Sequence, residues 1–204
     1  MSGVPVFVVV GNVNQGKSSV VAALSENETI PIDSYPGTTA HAGVYVFRAG
    51  ERELFRVVDT PGFQRARQVL DWLRRHASSA AERPRAVRAF VEAHRGATGG
   101  VREFADEVEL LAPILDGAGI LYVVDASSHL EPSNEAEMEI LRWTGQPAMA
   151  LINRVRQRDH AAEWRPTLTQ FFHIVREFDA HGASFAERTA LLRGFREIRP
   201  EWSA

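Results

Sequence analysis

The stretch Gly11–Ser18 reads GNVNQGKS and has the form G-x-x-x-x-G-K-[ST] of a phosphate-binding P-loop. Lys17 within it is the only lysine among the 23 basic residues of the chain. A lysine is a compact charge on a thin stem, whereas arginine is a broad planar fork, so lysine suits a tight glycine loop around phosphates. The apolar run Val6–Val10 predicts a buried strand before the loop, and Ser18–Leu24 predicts a helix after it. This context favours a nucleotide-phosphate site over an ordinary strand-to-helix turn.

Length and composition set wide bounds. A chain of 204 residues suits one domain, and a net charge of −3 does not indicate nucleic acid or a membrane surface. Without cysteine there is no disulfide and no thiolate metal site. The apolar runs are too short for a membrane span, and the first strand begins too early to leave room for a signal peptide. We therefore expect a cytoplasmic protein, and the sequence leaves open whether the chain is a fragment.

Strand-like and helix-like segments alternate, which predicts an α/β fold of P-loop NTPase type. We expect a mostly parallel six-stranded sheet with helices on both faces. The predicted strands are Val6–Val10, Val44–Arg48, Leu54–Asp59, Ile120–Asp125, Ala148–Asn153 and Ile174–Asp179, with the second and third forming a hairpin. The predicted helices outside the insertion described next are Lys17–Ser25, Pro132–Trp143, Arg165–Phe172 and Ser184–Ile198, the last with a Ser184/Glu187 capping box.

The stretch Gln64–Gly117 is unusually long for a connection between two strands. It holds about fifty residues, roughly twice what a βα connection needs. Helical patterns at Arg65–His76, Pro84–Arg95 and Val101–Leu115 predict a helical insertion between the third and fourth predicted strands. We therefore predict a single domain over residues 1–204 with residues 64–117 inserted in it.

Two further motifs follow the P-loop. Asp59–Gly62 reads DTPG directly after a strand, where an aspartate can hold magnesium through water and a glycine N–H can face the γ-phosphate. The alternative is a simple Pro-Gly turn. Ser34–Thr39 reads SYPGTT, and a threonine in such a loop can complete the magnesium shell when the γ-phosphate is present. The alternative there is a polar loop.

The order P-loop, PGTT, DTPG resembles the translation-factor-related P-loop GTPases and, within them, the Era-like group. The resemblance covers about Val4–Asn153 and implies a GTP-hydrolysing switch with Mg²⁺ at Ser18, Thr39 and Asp59. The insertion at Gln64–Gly117 lies outside the resemblance and suggests a bacterial subgroup with an additional uncharacterised C-terminal domain, which we expect this chain to lack. The implied catalytic residues are Lys17, Thr39 and Asn14. The implied nucleotide-binding residues are Gly11, Asn12, Val13, Asn14, Gln15, Gly16, Lys17, Ser18, Ser19, Thr38, Thr39, Asp59, Gly62 and Asn153.

Three positions bear on the mechanism. Phe63 stands where Ras-like members of the superfamily have a glutamine that orients water, and phenylalanine cannot do so. Some Era-like proteins use K⁺ instead, and Asn14 stands where they have an asparagine ligand. That ion would supply positive charge between the phosphates, although Asn14 alternatively only stabilises the turn. Ala40–His41 departs from the Arg-Asp that continues PGTT in other members.

The motif that would read the base departs further from the pattern of these GTPases. Asn153–Arg156 reads NRVR where these GTPases have Asn-Lys-x-Asp, so the aspartate that accepts from guanine is replaced by Arg156. Arginine has no acceptor. Loss of one charge-assisted hydrogen-bond pair, worth roughly 1.5–3 kcal/mol, would weaken guanine preference by about one to two decades. Asp159 is a possible substitute, and Asp179–His181 is a weak match to the second base loop. An ATPase of the same fold and a nucleotide-binding scaffold with little turnover are therefore the rival functions.

The insertion allows two interpretations. From Arg65 to Arg102 there are nine arginines against three acids, and Glu103–Asp116 is acidic. The insertion is either a basic surface for RNA, the ribosome or a protein effector, or a helical hairpin on the switch region whose charges satisfy each other. We favour the second, because the charges nearly cancel. Guanine nucleotide is the expected ligand, and a nucleotide-dependent homodimer is a further possibility.

Overall fold

The structure, a computed structural model, describes residues 4–11, 16–25, 32–36, 43–95, 103–153, 160–180, 182 and 184–198. The strands are β1 (Val6–Val10), β2 (Ile32–Pro36), β3 (Gly43–Ala49), β4 (Arg52–Asp59), β5 (Gly119–Asp125), β6 (Ala148–Asn153) and β7 (Ile174–Phe178). The helices are α1 (Lys17–Ser25), α2 (Ala66–His76), α3 (Arg83–Arg95), α4 (Ala105–Leu115), α5 (Pro132–Trp143), α6 (Ala161–Phe171) and α7 (Phe185–Ile198), with a 3-10 turn at Ala80–Glu82. Among the described helices, none combines the length and the apolar character that crossing a membrane requires.

The strands form one sheet in the order β2-β3-β4-β1-β5-β6-β7. The pairings of β1 with β4 and β5, of β5 with β6 and of β6 with β7 are parallel, whereas β2-β3 and β3-β4 are antiparallel. The predicted α/β fold with a mostly parallel sheet is therefore confirmed, and so is the β3-β4 hairpin.

The sheet has one strand more than predicted. Part of the expected polar loop Ser34–Thr39 is strand, because Ser34, Tyr35 and Pro36 pair with β3 as the end of β2. The proline suggested a loop, since it cannot donate to a strand ladder, but an edge strand tolerates it at its end. Another boundary also differs: α6 begins at Ala161 rather than Arg165, because Pro166 lies inside the helix instead of near its start.

Two apolar cores cover the two faces of the sheet. Alternation along β1 sends Val8 and Val10 to one face and Phe7 and Val9 to the other, as the period of two requires. The second face packs against α1 and α7, and the first against α2 to α6. The Ser184/Glu187 capping box is present at the start of α7: Ser184 N donates to Glu187 Oε2 at 2.7 Å, and Glu187 N donates to Ser184 Oγ at 3.3 Å.

The stretch between β4 and β5 folds as three helices on one face. Helix α4 packs on β1, whereas α2 and α3 pack on each other and on α5. The Arg83 guanidinium lies 4.8 Å from the ring centroid of Trp143, which adds a cation–π contact between α3 and α5. The favoured charge pairing between its basic and acidic parts is seen, among the described residues, only as Arg65–Glu103 at 3.4 Å. The insertion is held instead by its apolar faces.

Candidate functional site

The turn between β1 and α1 brings the chain close to its neighbour β5. Gly11 is buried with a φ of +155°, and a Cβ on it would lie 2.3 Å from the carbonyl oxygen of Val123. No other residue type fits this backbone without displacing β5. Gly16, with a φ of +80°, precedes the first residue of α1. The first P-loop glycine is therefore required by packing as well as by the motif.

Lys17 begins α1 with its side chain turned back toward the loop. Its Nζ donates a hydrogen bond to the carbonyl oxygen of Gly11 at 3.1 Å, and only 8% of the residue is exposed. Burial lowers the pKa of Lys17, and the negative charges of Asp59 and Glu137 oppose that shift. A bound anion would stabilise the charged form of this buried ammonium.

Ser18 and Asp59 meet at the carboxyl ends of two neighbouring strands. Asp59 is the last residue of β4 and is in register with Val9 of β1. The Ser18 hydroxyl donates to Asp59 Oδ2 at 2.7 Å, while Oδ1 is buried and has no hydrogen-bond partner among the described residues. A hydroxyl and an orphaned carboxylate oxygen are the hard donors that Mg²⁺ takes. The residues present therefore fit a magnesium ion.

The DTPG turn is anchored at both of its ends. The buried Thr60 hydroxyl donates to the carbonyl oxygen of Val9 at 2.8 Å. Gly62 has a φ of +86°, and a Cβ there would lie 2.3 Å from the Gly11 carbonyl oxygen and 3.2 Å from Lys17 Nζ. The turn after β4 therefore lies against the P-loop backbone.

Phe63 points away from this site. It is 2% exposed and belongs to the core between the sheet and the insertion helices. The side chain of Gln64 is exposed, and the backbone N–H of Gln64 donates to Glu107. The expectation that Phe63 cannot orient a water molecule follows from this burial as well as from its chemistry.

Asn153 ends β6 next to the start of the second base loop. Its Oδ1 accepts a hydrogen bond from Ala180 N at 3.3 Å, and its Nδ2 is buried without a partner among the described residues. Ala180, the middle residue of the weak sequence match at Asp179–His181, thus lies beside Asn153. The other candidate residues at these loops, Asn12, Val13, Asn14, Gln15, Thr38, Thr39, Arg156, Asp159 and His181, lie outside the described residues. Ser19 lies in α1, half-buried.

Sequence reasoning missed a buried carboxylate that holds the residues after the DTPG turn. Glu107 of α4 is 1% exposed and accepts hydrogen bonds from Gln64 N at 3.0 Å and Arg65 N at 2.7 Å. A signal was present, because Glu107 interrupts a helical stripe that continues with the buried Leu110 and Ile114. The insertion thereby holds the segment that follows the DTPG turn.

A second missed group lies between β5 and α5. The buried Tyr122 hydroxyl donates to Glu137 Oε2 at 2.8 Å. Burial raises the pKa of Glu137 to about 7, and the hydrogen bond from Tyr122 and the charge of Lys17 oppose that shift. Burial also raises the pKa of Tyr122 well above its ordinary range. Glu137 is thus a buried carboxyl whose charge acts on the P-loop lysine.

The sheet order, the glycine turn with its buried lysine and the Ser18–Asp59 contact define the class of P-loop GTPases, which bind and hydrolyse GTP. Residues 6–154 match the family described as "50S ribosome-binding GTPase". The match covers well over half of the chain, and the protein belongs to that family.

Relatives within the class are distant. GTPase Der of Vibrio campbellii is 28% identical over 193 residues, which are 93% of this chain and 31% of that protein. GTPase Der of Streptomyces coelicolor is 33% identical over 152 residues, which are 74% of this chain and 25% of that protein. The chain thus spans less than a third of the length of these curated relatives.

Two solved structures share the fold. The structure of a point mutant of Aquifex aeolicus Era bound to GDP.AlF4⁻ matches with a TM-score of 0.53 at 18% identity, covering 96% of this chain and 56% of that one. The structure of a GDP-bound point mutant of S. thermophilus NFeoB matches with a TM-score of 0.52 at 15% identity, covering 98% and 65% of the two chains. At these identities the likeness concerns the fold alone.

Proposed function

We propose that this chain is a Mg²⁺-dependent GTPase switch that binds GTP at Gly11–Ser18 and hydrolyses it slowly. The observation that carries the proposal is the meeting of Ser18 with Asp59 beside the buried Lys17, at the edge where β1 and β4 end. Membership of a GTPase family supports the same reaction. The domain would extend over residues 1–204, with residues 64–117 as an insertion.

Each residue of the site has a separate task. Lys17 neutralises the β- and γ-phosphates, and the burial of Lys17 strengthens the effect of its charge. The Gly62 N–H faces the γ-phosphate. Ser18, Asp59 and Thr39 would hold Mg²⁺, whose positive charge offsets that of the phosphates. Slow turnover is expected, because the buried Phe63 leaves no side chain at its position to orient the attacking water.

Stimulation of the hydrolysis by a potassium ion is a further part of the proposed function. Asn14 is the candidate ligand, and its position in the P-loop string is the sole support. Phosphate release from GTP and from ATP, measured in K⁺ and in Na⁺, tests both the reaction and its stimulation. Release that Lys17→Ala abolishes supports the GTPase, whereas release from neither nucleotide above the Lys17→Ala background, in either salt, favours the nucleotide-binding scaffold.

We propose that the site prefers guanine over adenine, but less strongly than GTPases with the Asn-Lys-x-Asp motif do. Asn153 is in place beside Ala180, which supports a guanine site, whereas Arg156 lacks the acceptor of the usual aspartate. Competition of GDP against ADP for the same site measures the preference. Displacement by ADP as effective as by GDP would favour the ATPase of the same fold.

The proposal also covers the subgroup, the partners and the location of the protein. The motif order PGTT then DTPG supports the Era-like group, and only that resemblance supports membership of a bacterial subgroup whose members have an additional C-terminal domain. The family's description supports the ribosome as a partner. Among the described residues of the insertion, Arg67, Arg75, Arg85, Arg88 and Arg95 are exposed and form no ion pair, which supports a basic contact surface for RNA or a protein effector. A nucleotide-dependent homodimer and a cytoplasmic location complete the proposal.

A further inference from the structure

Two histidines and a glutamate meet where the loop after β5 touches the start of α6. Oε2 of Glu163 lies 2.9 Å from Nδ1 of His129 and 3.5 Å from Nδ1 of His160. One potential ligand atom from each of the three residues lies within 4.8 Å of the other two. We propose that His129, His160 and Glu163 form a binding site for a divalent transition-metal ion of the zinc class.

The donor set suits that class of ion. Two imidazoles and one carboxylate, with a fourth position left to water, are a common zinc ligand set. Bonds of 2.0–2.1 Å in a tetrahedron place neighbouring ligand atoms about 3.3 Å apart. The two distances from Glu163 Oε2, 2.9 and 3.5 Å, lie close to that value. Imidazole also selects against Mg²⁺, which prefers oxygen ligands. The side chains of His129 and Glu163 are 73% and 40% exposed, so an ion can reach them.

The fold holds the donors together without an ion. His160 N donates to the carbonyl oxygen of Ala126 at 2.7 Å, and the indole N–H of the buried Trp164 donates to the carbonyl oxygen of Ser128 at 2.8 Å. Leu130 N donates to Glu163 Oε1 at 3.1 Å and so orients the carboxylate. These three hydrogen bonds join the loop after β5 to the first turns of α6. The ligand set is therefore largely preformed, which lowers the entropic cost of binding.

A simple surface ion pair accounts for only part of this arrangement. An exposed histidine–glutamate pair contributes little to stability, and it needs one imidazole. Here a second imidazole lies against the first, with ring centroids 3.9 Å apart and planes tilted by 47°. One metal ion would contact both imidazoles and the carboxylate, which a single ion pair does not do.

The site lies at one end of the segment that carries the base-reading positions. Ala126 N donates to the carbonyl oxygen of Asn153 at 2.9 Å, and Ala126 O accepts from His160 N. Asn153 and His160, the described residues on either side of positions 154–159, thus both form hydrogen bonds with Ala126, and the ion would add a further contact at His160. The contacts among His129, His160 and Glu163 form without nucleotide, so metal binding does not depend on GTP binding.

A titration with Co²⁺ tests the site. The nucleotide-free protein without an affinity tag is titrated in excess Mg²⁺, and visible d–d absorption reports imidazole ligation at about one equivalent of Co²⁺. We expect His129→Ala, His160→Ala and Glu163→Gln each to weaken Co²⁺ binding by about tenfold or more. His173→Ala removes an exposed histidine at the far end of α6 and should leave binding unchanged.

Thermal unfolding with Zn²⁺ is the second measurement. An ion that binds the folded state alone raises the melting temperature. We expect this rise in the wild type and in His173→Ala, and its loss in His129→Ala and Glu163→Gln, whose metal-free unfolding reports that they are folded. Co²⁺ affinity that is equal in all variants, or absent from the wild type, overturns the proposal.

Discussion

A Cβ on Gly62 would lie 2.3 Å from the carbonyl oxygen of Gly11, so the turn after β4 and the start of the P-loop touch through their backbones. The two glycines are 51 positions apart in the chain (62 minus 11), and the parallel pairing of β1 with β4 brings them together. A phosphate bound in the P-loop would therefore lie close to the DTPG turn, Asp59–Gly62.

Gly62→Ala is expected to lower GTP hydrolysis and Mg²⁺–GTP affinity by about tenfold or more, the equivalent of roughly 1.4 kcal/mol. The added methyl group must push Gly11 away, and neither backbone can yield without deforming the cradle. Binding of a fluorescent GTP analogue and phosphate release measure the effect.

Gly145→Ala is the matched control for that substitution. Gly145 has a similar φ of +71°, but a Cβ there meets nothing within 4 Å. It should cost about 1–2 kcal/mol of stability, as a left-handed backbone does for any side chain, and leave nucleotide binding intact. Equal loss of binding in both variants would show that the Gly62–Gly11 contact has no special role.

Glu107→Ala is expected to destabilise the protein by about 2–3 kcal/mol and to loosen the residues after the DTPG turn. The substitution leaves the partly buried N–H groups of Gln64 and Arg65 without their carboxylate acceptor. Chemical denaturation measures the stability, and hydrogen exchange of the two amides measures the local opening. Glu103→Gln, which removes only an exposed ion pair, should change stability by less than about 1 kcal/mol. Unchanged exchange at Gln64 and Arg65 in Glu107→Ala would contradict the proposed anchoring.

Glu137 is expected to make stability depend on pH. Because the pKa of Glu137 is raised from 4.5 to about 7 in the folded state, the folded protein binds the proton more tightly than the unfolded chain does. The stability from this group is fully present below pH 4.5 and is lost as the pH rises through about 7. The loss is on the order of 3 kcal/mol. Denaturation midpoints should fall accordingly between pH 4.5 and about 8.

Glu137→Gln is expected to remove that slope. The amide retains an oxygen that can accept from Tyr122, but it carries no charge to desolvate, so the variant should be more stable than the wild type at about pH 8. Tyr122→Phe is the contrasting variant: it removes the hydroxyl donor and should lower stability at that pH by about 1–3 kcal/mol. A wild-type profile as flat as that of Glu137→Gln would refute the assignment.

Ser18→Ala is expected to raise the Mg²⁺ concentration needed for half-maximal hydrolysis by about tenfold, because one of the proposed oxygen ligands is lost. Removing Mg²⁺ with a chelator should abolish turnover in both proteins. Thr169→Ala, which deletes an exposed hydroxyl on α6 that donates to a backbone carbonyl, is the control. The same Mg²⁺ requirement in Ser18→Ala and the wild type would argue against Ser18 as a ligand.

Much of the fold was predictable because it depends on local patterns. The run Val6–Val10, the glycine string after it and the helical periodicity of Pro132–Trp143 each specify one element within a few residues. The capping box at Ser184 was predictable for the same reason, since both of its partners lie within one helical turn. The strand Ile32–Pro36 was missed, because its partner β3 and its place at the edge decide its structure and its own residues do not.

The residues of the site also fall into those that local sequence predicts and those that only tertiary contacts reveal. The amino-acid sequence by itself determined the P-loop, the DTPG turn and the unusual Arg156, because each consists of residue types at fixed short spacing. Tertiary structure alone decided that Glu107 holds Gln64, that Glu137 lies buried under Tyr122 and that His129 meets His160. These contacts join residues that are distant in the chain, and their energies depend on burial and distance, which arise only when the helices and loops pack against the sheet.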